Sequence, residues 1–226
     1  MDGQTHVDKR AFIIKVYRIF IYSLLYSGLS SYAGIRLGIG FSWWWILLDI
    51  VVFIICLVFR NSLFLLYLWT TISGFTSAPI LSSIIDKGQV DIIWQAILST
   101  AVLFAILSGY VHFTKKDFSH WRAILCTLLT LLVLCIIPLV MLPDRTAEII
   151  WSASGILLFS GYILYDTSEI IHRYGPGDEV AAALDLHLDF VNIFWDFIRL
   201  FKRTNHETVT DTADTSGDVT DLLDTD

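Results

Sequence analysis

Long apolar stretches separated by short polar breaks run almost the whole length of the chain. Residues 19–35 are uncharged, with Lys15 and Arg18 just ahead of them on a helix expected to begin near Ala11. Residues 37–59 hold one charge, Asp49, while 61–85, 92–114, 123–142 and 149–165 hold none. Residues 180–200 are apolar but carry several acids. A bilayer core of about 30 Å is crossed by roughly 20 apolar residues in a helix, so each stretch is long enough to count as a span. The breaks carry turn formers: Gly38 and Gly40, Asp86-Lys87-Gly88, Lys115-Lys116-Asp117, Pro143-Asp144-Arg145, and Tyr174-Gly175-Pro176-Gly177-Asp178. Membrane β-strands would alternate apolar and polar positions over about ten residues, and nothing here alternates. The pattern predicts an all-α membrane protein, a seven-transmembrane-helix bundle. The first apolar stretch is too long for a signal peptide and leads directly into further spans.

Composition supports that reading and charge refines it. Hydrophobic residues make up 55% of the 226 positions and charged ones 16%, against roughly a quarter charged in soluble domains. The net charge of −7 is a property of the end of the chain. Seven acids, from Glu207 to Asp226, fall in the last 22 positions without a Lys or Arg, which leaves 15 of each sign in residues 1–204. The expected organisation is therefore a short polar segment (1–10), a seven-helix domain (11–203) and an acidic tail (204–226) too polar to fold alone. No basic face suggests a nucleic-acid partner. Cys56, Cys126 and Cys135 all lie inside spans and read as small apolar fillers.

Lys and Arg sort unevenly between the two sides. The N-terminal side collects Lys9, Arg10, Lys15, Arg18, Arg60, Lys115, Lys116, Arg122 and Arg173; the other has Arg36, Lys87 and Arg145, then Arg199, Lys202 and Arg203. This bias predicts a cytoplasmic N-terminus, with the C-terminal basic cluster pulling the other way. Trp43, Trp44, Trp45, Trp121 and Trp151 fall near the predicted interfaces, whereas Trp69 and Trp195 lie deeper as packing residues. Small residues in span three (Ser73, Gly74, Ser77, Ala78) and span six (Ser152, Gly155, Ser160, Gly161) predict close helix contacts. Pro79 and Pro138 are candidate kinks.

An ionisable side chain within a span is costly unless paired or hydrated, which makes it a candidate functional residue. In the last span Asp185, Asp189, Asn192 and Asp196 are spaced 0, 4, 7 and 11, so they share one helix face, and Arg199 extends the stripe. Such a helix belongs in the middle of a bundle, with its stripe toward water or partner charges. Asp166 closes the sixth span and Asp49 sits midway along the second. The plainer account is that these acids pair with Arg60 and Arg199 and only hold helices together; for Asp185 and Asp196 the two accounts weigh equally, and for Asp166 with Asp189 function is favoured. His187 points away from Asp189 and is expected to hydrogen-bond a neighbouring helix.

The run 154–167, ending Tyr165-Asp166-Thr167, and the later Leu184-Asp185-Leu186-His187-Leu188-Asp189-Phe190-Val191-Asn192 resemble the signature of the transmembrane Bax inhibitor motif family. Lys115-Lys116-Asp117-Phe118-Ser119 and Phe75-Thr76-Ser77-Ala78-Pro79-Ile80 are similar to its fourth loop and third span, and the likeness covers most of residues 11–203. The resemblance implies a last helix enclosed by the other six and a pH-sensitive calcium leak, with suppression of cell death in eukaryotic members. It implies a carboxylate dyad of Asp166 and Asp189, an arginine latch at Arg60, and an accessory acid at Asp49. His187 and Asp196 depart from the pattern, standing where tyrosine and a neutral polar residue are common, so no role transfers to Asp196.

The chemistry of such a dyad fits a switch. Two carboxylates held close cannot both ionise cheaply, so they share a proton and titrate as a unit. Ionised, they are hard oxygen ligands suited to transient calcium binding, with Asp49, Asp185, Asn192 and Asp196 as accessory stations along the path. No resident cofactor is expected; calcium is the permeating ion, the lipid bilayer the other partner, and no protein partner is indicated. The compartment would be the plasma membrane in a prokaryote and the endoplasmic reticulum or Golgi in a eukaryote or virus.

Other classes compete. Tyr165-Asp166 and Gly175-Pro176-Gly177-Asp178 spell the YD and GxGD motifs of intramembrane aspartyl proteases, where two aspartates share a proton. Asp178, however, lies in a polar stretch, no Pro-Ala-Leu segment follows, and a turn between helices accounts for the motif, so no enzyme is expected. A retinal protein needs a lysine midway along the last span, and there is none before Lys202. A proton-coupled transporter remains a rival, since intramembrane acids also relay protons.

Overall fold

The apolar stretches fold as helices, several of whose ends carry identifiable caps. The computed structural model describes residues 2–136 and 144–221, with side chains described for 9–136 and 144–204. Among the described residues every regular element is helical: α1 (Asp2–Arg36), α2 (Trp43–Val58), α3 (Leu63–Asp86), α4 (Val90–Thr114), a 3-10 turn (Ser119–Trp121), α5 (Arg122–Leu134), α6 (Arg145–His172) and α7 (Glu179–Asp221). Pro138, Pro143 and residues 137–142 of the fifth predicted span lie outside the described residues. Four stretches are long and apolar enough to cross a membrane unaided: Lys9–Arg36, Leu63–Asp86, Val90–Thr114 and Arg145–His172. Helix α2 and the segment Ser119–Leu134 are apolar but shorter. The acids of α7 keep it out of that group.

Two glycines end helices where the sequence placed breaks. Gly38 (φ +65°) and Gly88 (φ +71°) adopt the left-handed conformation. The amide three positions past each helix reaches back five residues, Ile39 N–H to Gly34 O at 3.0 Å and Gln89 N–H to Ile84 O at 3.1 Å, which is the Schellman closure. The break after Gly38 continues to Ser42, so α2 starts at Trp43 and not near residue 37. Its 16 residues rise about 24 Å, and Trp43 and Trp44 stand exposed in its first turn. Helix α3 runs on through Pro79. Asp144 caps α6, its carboxylate accepting the Ala147 N–H at 2.9 Å.

Helix α1 lies along α3, and α7 along α6; α7 also packs on α4 and α1 and touches α3, while α2 sits on α3 and α5 on α6. The small residues sit at these contacts as predicted. A Cβ on Gly74 would come within 2.5 Å of the Ser27 carbonyl of α1, and one on Gly161 within 2.9 Å of Leu125 of α5. Aromatic packing locks the middle: the Phe20 and Phe104 rings stack at 4.9 Å and both meet Phe190 of α7 edge-on. No residue of α7 from 179 to 201 is exposed, whereas every other helix displays large apolar side chains, such as Leu29, Phe64, Leu98 and Leu157. The acid-bearing helix is thus the one best screened over residues 179–201, in keeping with its stripe.

The α4–α5 loop is pinned to α6 by polar contacts. Lys115 takes a left-handed turn (φ 52°), the Phe118 N–H donates to Ser168 Oγ at 2.9 Å, and the Asp117 carboxylate accepts the Ser119 N–H and hydroxyl. Those Ser119 hydrogen bonds, the hydroxyl first and the amide second, hold the exposed Asp117 carboxyl below the ordinary carboxylate range. A depressed folded pKa means that this turn is held in full above the ordinary carboxylate pKa and is released as pH falls through the lower, folded value. Protection of the Ser119 amide from hydrogen exchange is therefore expected to be constant near neutrality and to fall only in strong acid. In Asp117→Asn that acid step should be missing; its persistence there would show that another group holds the turn.

Candidate functional site

The stripe on α7 faces a cavity of about 640 Å³ bordered by α2, α5 and α6. One wall is apolar, with Phe53 of α2 and Leu129, Leu132 and Val133 of α5. The rest of the lining includes a set of charged side chains. Asp166 and Glu169 come from α6, Asp185, Asp189, Asn192, Asp196 and Arg199 from α7, and Arg60 and Arg122 from the ends of neighbouring elements. Five acidic side chains therefore line the cavity beside three guanidiniums.

Asp166 and Asp189 meet across the α6–α7 contact with their carboxyls in hydrogen-bonding reach of each other. They are 7% and 3% exposed, and Asp189 Oδ2 has no hydrogen-bond partner. Two carboxyls can hydrogen-bond each other only while at least one of them keeps its proton. The sequence pairing of these two aspartates is realised in space.

Arg60 lies beside the dyad but is bound one turn away. Its guanidinium pairs with Asp185 Oδ1, and the Tyr174 hydroxyl donates to Asp185 Oδ2 at 2.8 Å. Arg60 remains near enough to act electrostatically on Asp166. The latch expected on the dyad is therefore found on Asp185, and Tyr174, which the sequence reading missed, completes it. Toward the other end, Asp196 is 2% exposed and pairs with Arg199 on the same helix. Its carboxylate lies against Gly155 of α6, where any added Cβ would collide with it. Asn192 lines the cavity between the two ends and donates its side-chain N–H to the Leu188 carbonyl at 2.8 Å.

Two residues stand apart. Asp49 does not line this cavity; it is half-buried on α2 with Trp69 of α3 in hydrogen-bonding reach. His187 is fully buried on the opposite face of α7, its Nδ1 2.8 Å from Ser23 Oγ of α1 and its ring edge-on to Trp69 at 5.4 Å. That is the neighbour-helix hydrogen bond expected of it. Asp178 lies in the turn before α7, where its carboxylate accepts the Gly175 N–H at 3.2 Å and its carbonyl the Ala182 N–H at 2.9 Å. The GxGD motif thus caps a helix and does not bring Asp178 to Asp166.

Among the described residues no three His, Cys, Asp or Glu side chains converge as a metal-holding group. The cavity thus presents the Asp166–Asp189 pair with further acidic side chains a turn or two away along α7.

The family described as "Inhibitor of apoptosis-promoting Bax1" matches residues 9–206. An uncharacterized protein of Helicobacter pylori (strain J99) is 30% identical over 199 residues, 84% of this chain and 85% of the relative. Bax inhibitor 1 of Schizosaccharomyces pombe is 33% identical over 205 residues, 82% of this chain and 74% of the relative. A Golgi anti-apoptotic protein of Vaccinia virus (strain Lister) is 33% identical over 134 residues, 58% of this chain and 56% of the relative.

Proposed function

This chain belongs to the Bax inhibitor family, and from that membership we propose that it is a pH-sensitive calcium leak channel of seven membrane spans, its N-terminus cytoplasmic. The observation that carries the reading is the Asp166–Asp189 pair, set on the central helix and facing an acid-rich cavity. With one proton shared, the pair ties α6 to α7. Losing that proton sets two buried like charges against each other, which loosens the contact and presents both carboxylates to a cation. A buried element with two such states, biased by pH, is what a gate requires. The Arg60–Asp185–Tyr174 cluster lines the cavity near the basic, N-terminal side of the bundle and would act there as its latch. The anti-apoptotic names of the vaccinia and fission yeast relatives fit a role in calcium homeostasis and cell survival. A eukaryotic or viral source would place it in the endoplasmic reticulum or Golgi, a prokaryotic one in the plasma membrane.

The test is calcium flux from liposomes holding the purified full chain, followed across a pH series. Wild type is expected to leak without saturating and with a clear pH dependence, and Asp166→Asn and Asp189→Asn to flatten that dependence. Variants that keep the wild-type profile would remove the dyad from the mechanism. Saturable flux that needs a second solute would instead identify a proton-coupled transporter.

A further inference from the structure

A second arginine, Arg199, lines the cavity toward the end away from Arg60. We propose that Arg199, held between Asp196 and Trp151, is a second gate, so that a cation passing the dyad must displace two arginines in series. This rests on the leak-channel reading and adds to it a residue that sets the rate of exit.

Four observations carry it. Arg199 lines the same cavity as the dyad, and its side chain is 40% exposed while its partner Asp196 is 2% exposed. A guanidinium reaching outward over a buried carboxylate is the geometry of a plug. Arg60 repeats it over Asp185, at 41% and 16% exposure. Next, the Arg199 guanidinium lies 4.4 Å from the centroid of the Trp151 ring on α6, a cation–π contact that fixes it across the α6–α7 contact and not merely along its own helix. Gly155, one turn beyond Trp151, leaves the space into which the Asp196 carboxylate fits. Finally, the first turn of α6 is tied to α7 just beyond this point: Arg203 pairs with Glu148, and Arg145 donates to the Arg203 carbonyl at 2.7 Å. With the two helices held together there, movement of the Arg199 side chain is the simplest way for this mouth to open.

The two plugs frame the dyad. Asp185 and Asp196 are eleven residues apart on α7, a rise of about 16 Å, with Asp189 one turn in from the first and two turns in from the second. Asp196 is then the last carboxylate a departing cation meets, and it is available only when Arg199 leaves it. The two residues would otherwise form an ordinary buried ion pair; what distinguishes a gate is that removing the arginine speeds passage instead of only loosening the fold.

The experiment is calcium efflux from liposomes holding the full chain, comparing wild type, Arg199→Gln, Arg199→Lys and Trp151→Leu over the same pH series. Arg199→Gln is expected to raise flux at every pH, about tenfold (about 1.4 kcal/mol), without moving the midpoint of the pH profile, which the dyad sets. Arg199→Lys keeps the charge but loses the planar stack on Trp151, and Trp151→Leu frees the guanidinium from its ring, so both should fall between wild type and Arg199→Gln. Should Arg199→Gln fold poorly, native Cys126, which lines the cavity, supplies a second readout in a Cys135→Ala chain. A membrane-impermeant cationic thiol reagent added from the Arg199 side should modify it faster in Trp151→Leu than in the parent. Unchanged or lower flux in folded Arg199→Gln, or equal labelling rates, would overturn the second gate. An absence of wild-type leak, or dyad variants with a normal pH profile, would instead overturn the channel reading beneath it.

Discussion

Arg60→Gln and Asp185→Asn are expected to push calcium flux in opposite directions while both lower stability. The two side chains form one ion pair, completed by the Tyr174 hydroxyl at 2.8 Å. Removing the arginine leaves a carboxylate, 84% shielded by its 16% side-chain exposure, without its cation and facing the cavity. Losing one partner of a buried pair costs about 3–5 kcal/mol, and the two-fifths exposure of Arg60 reduces this to about 1–2 kcal/mol here. The freed Asp185 becomes an extra cation ligand at the mouth, so flux should rise about tenfold, the factor that about 1.4 kcal/mol represents. Asp185→Asn does the reverse. It leaves Arg60 uncompensated at the entrance, where a fixed positive charge repels calcium, and flux should fall below wild type. The double variant restores charge balance and should lie between the two. Flux measured in liposomes and thermal unfolding measured in detergent separate the effects. If both single variants shifted flux the same way, the pair would be a structural tie and not a closure of the path.

The reach and the limit of the sequence are both visible in that pair. Spacing alone placed Asp185, Asp189, Asn192 and Asp196 on one face of one helix, because helical period is a local property. It also placed that helix inside the bundle, because an acid stripe cannot face lipid, and α7 is indeed unexposed from 179 to 201. Which acid Arg60 would grasp was not legible. Asp185 and Asp189 lie one turn apart, and the choice depends on where the α2–α3 junction meets α7, a tertiary fact with no periodic signature. Tyr174 was hidden for the same reason, since it sits in a turn and acts on a residue eleven positions later. Position along a span says nothing about direction: Asp49, midway along the second, lies beside Trp69 and does not line the cavity. The start of α2 was misplaced because residues 37–42 are apolar enough to extend a span, while Gly38 at φ +65° ends the preceding helix instead.

Gly74→Leu is expected to prevent assembly of the bundle, and Gly28→Ala, on the facing helix, to be harmless. Association of helices in a bilayer relies on packing that small residues permit, since apolar burial drives little when lipid is equally apolar. At Gly74 the backbones of α3 and α1 approach so closely that a single added carbon would sit 2.5 Å from the Ser27 carbonyl oxygen, 2.6 Å from Ser30 Cβ and 3.0 Å from the Ser31 nitrogen. Two of those three neighbours are backbone atoms, which cannot rotate aside, so relief requires α1 to move bodily away. Overpacking a core costs about 1–3 kcal/mol when side chains can adjust, and at a backbone contact Leu should exceed that range. Ala already places the offending carbon and should lower the melting temperature measurably, with Leu yielding aggregated or unfolded protein by size-exclusion chromatography. Gly28 has nothing within 4 Å of its would-be Cβ, and replacing a helical glycine with alanine favours the helix by about 0.5–1 kcal/mol, so Gly28→Ala should melt at or slightly above wild type. The contrast ties the outcome to space and not to glycine content. A Gly74→Leu chain that melted like wild type would mean that α1 and α3 do not meet at this point, and the placement of Ser23, on which His187 depends, would fall with it.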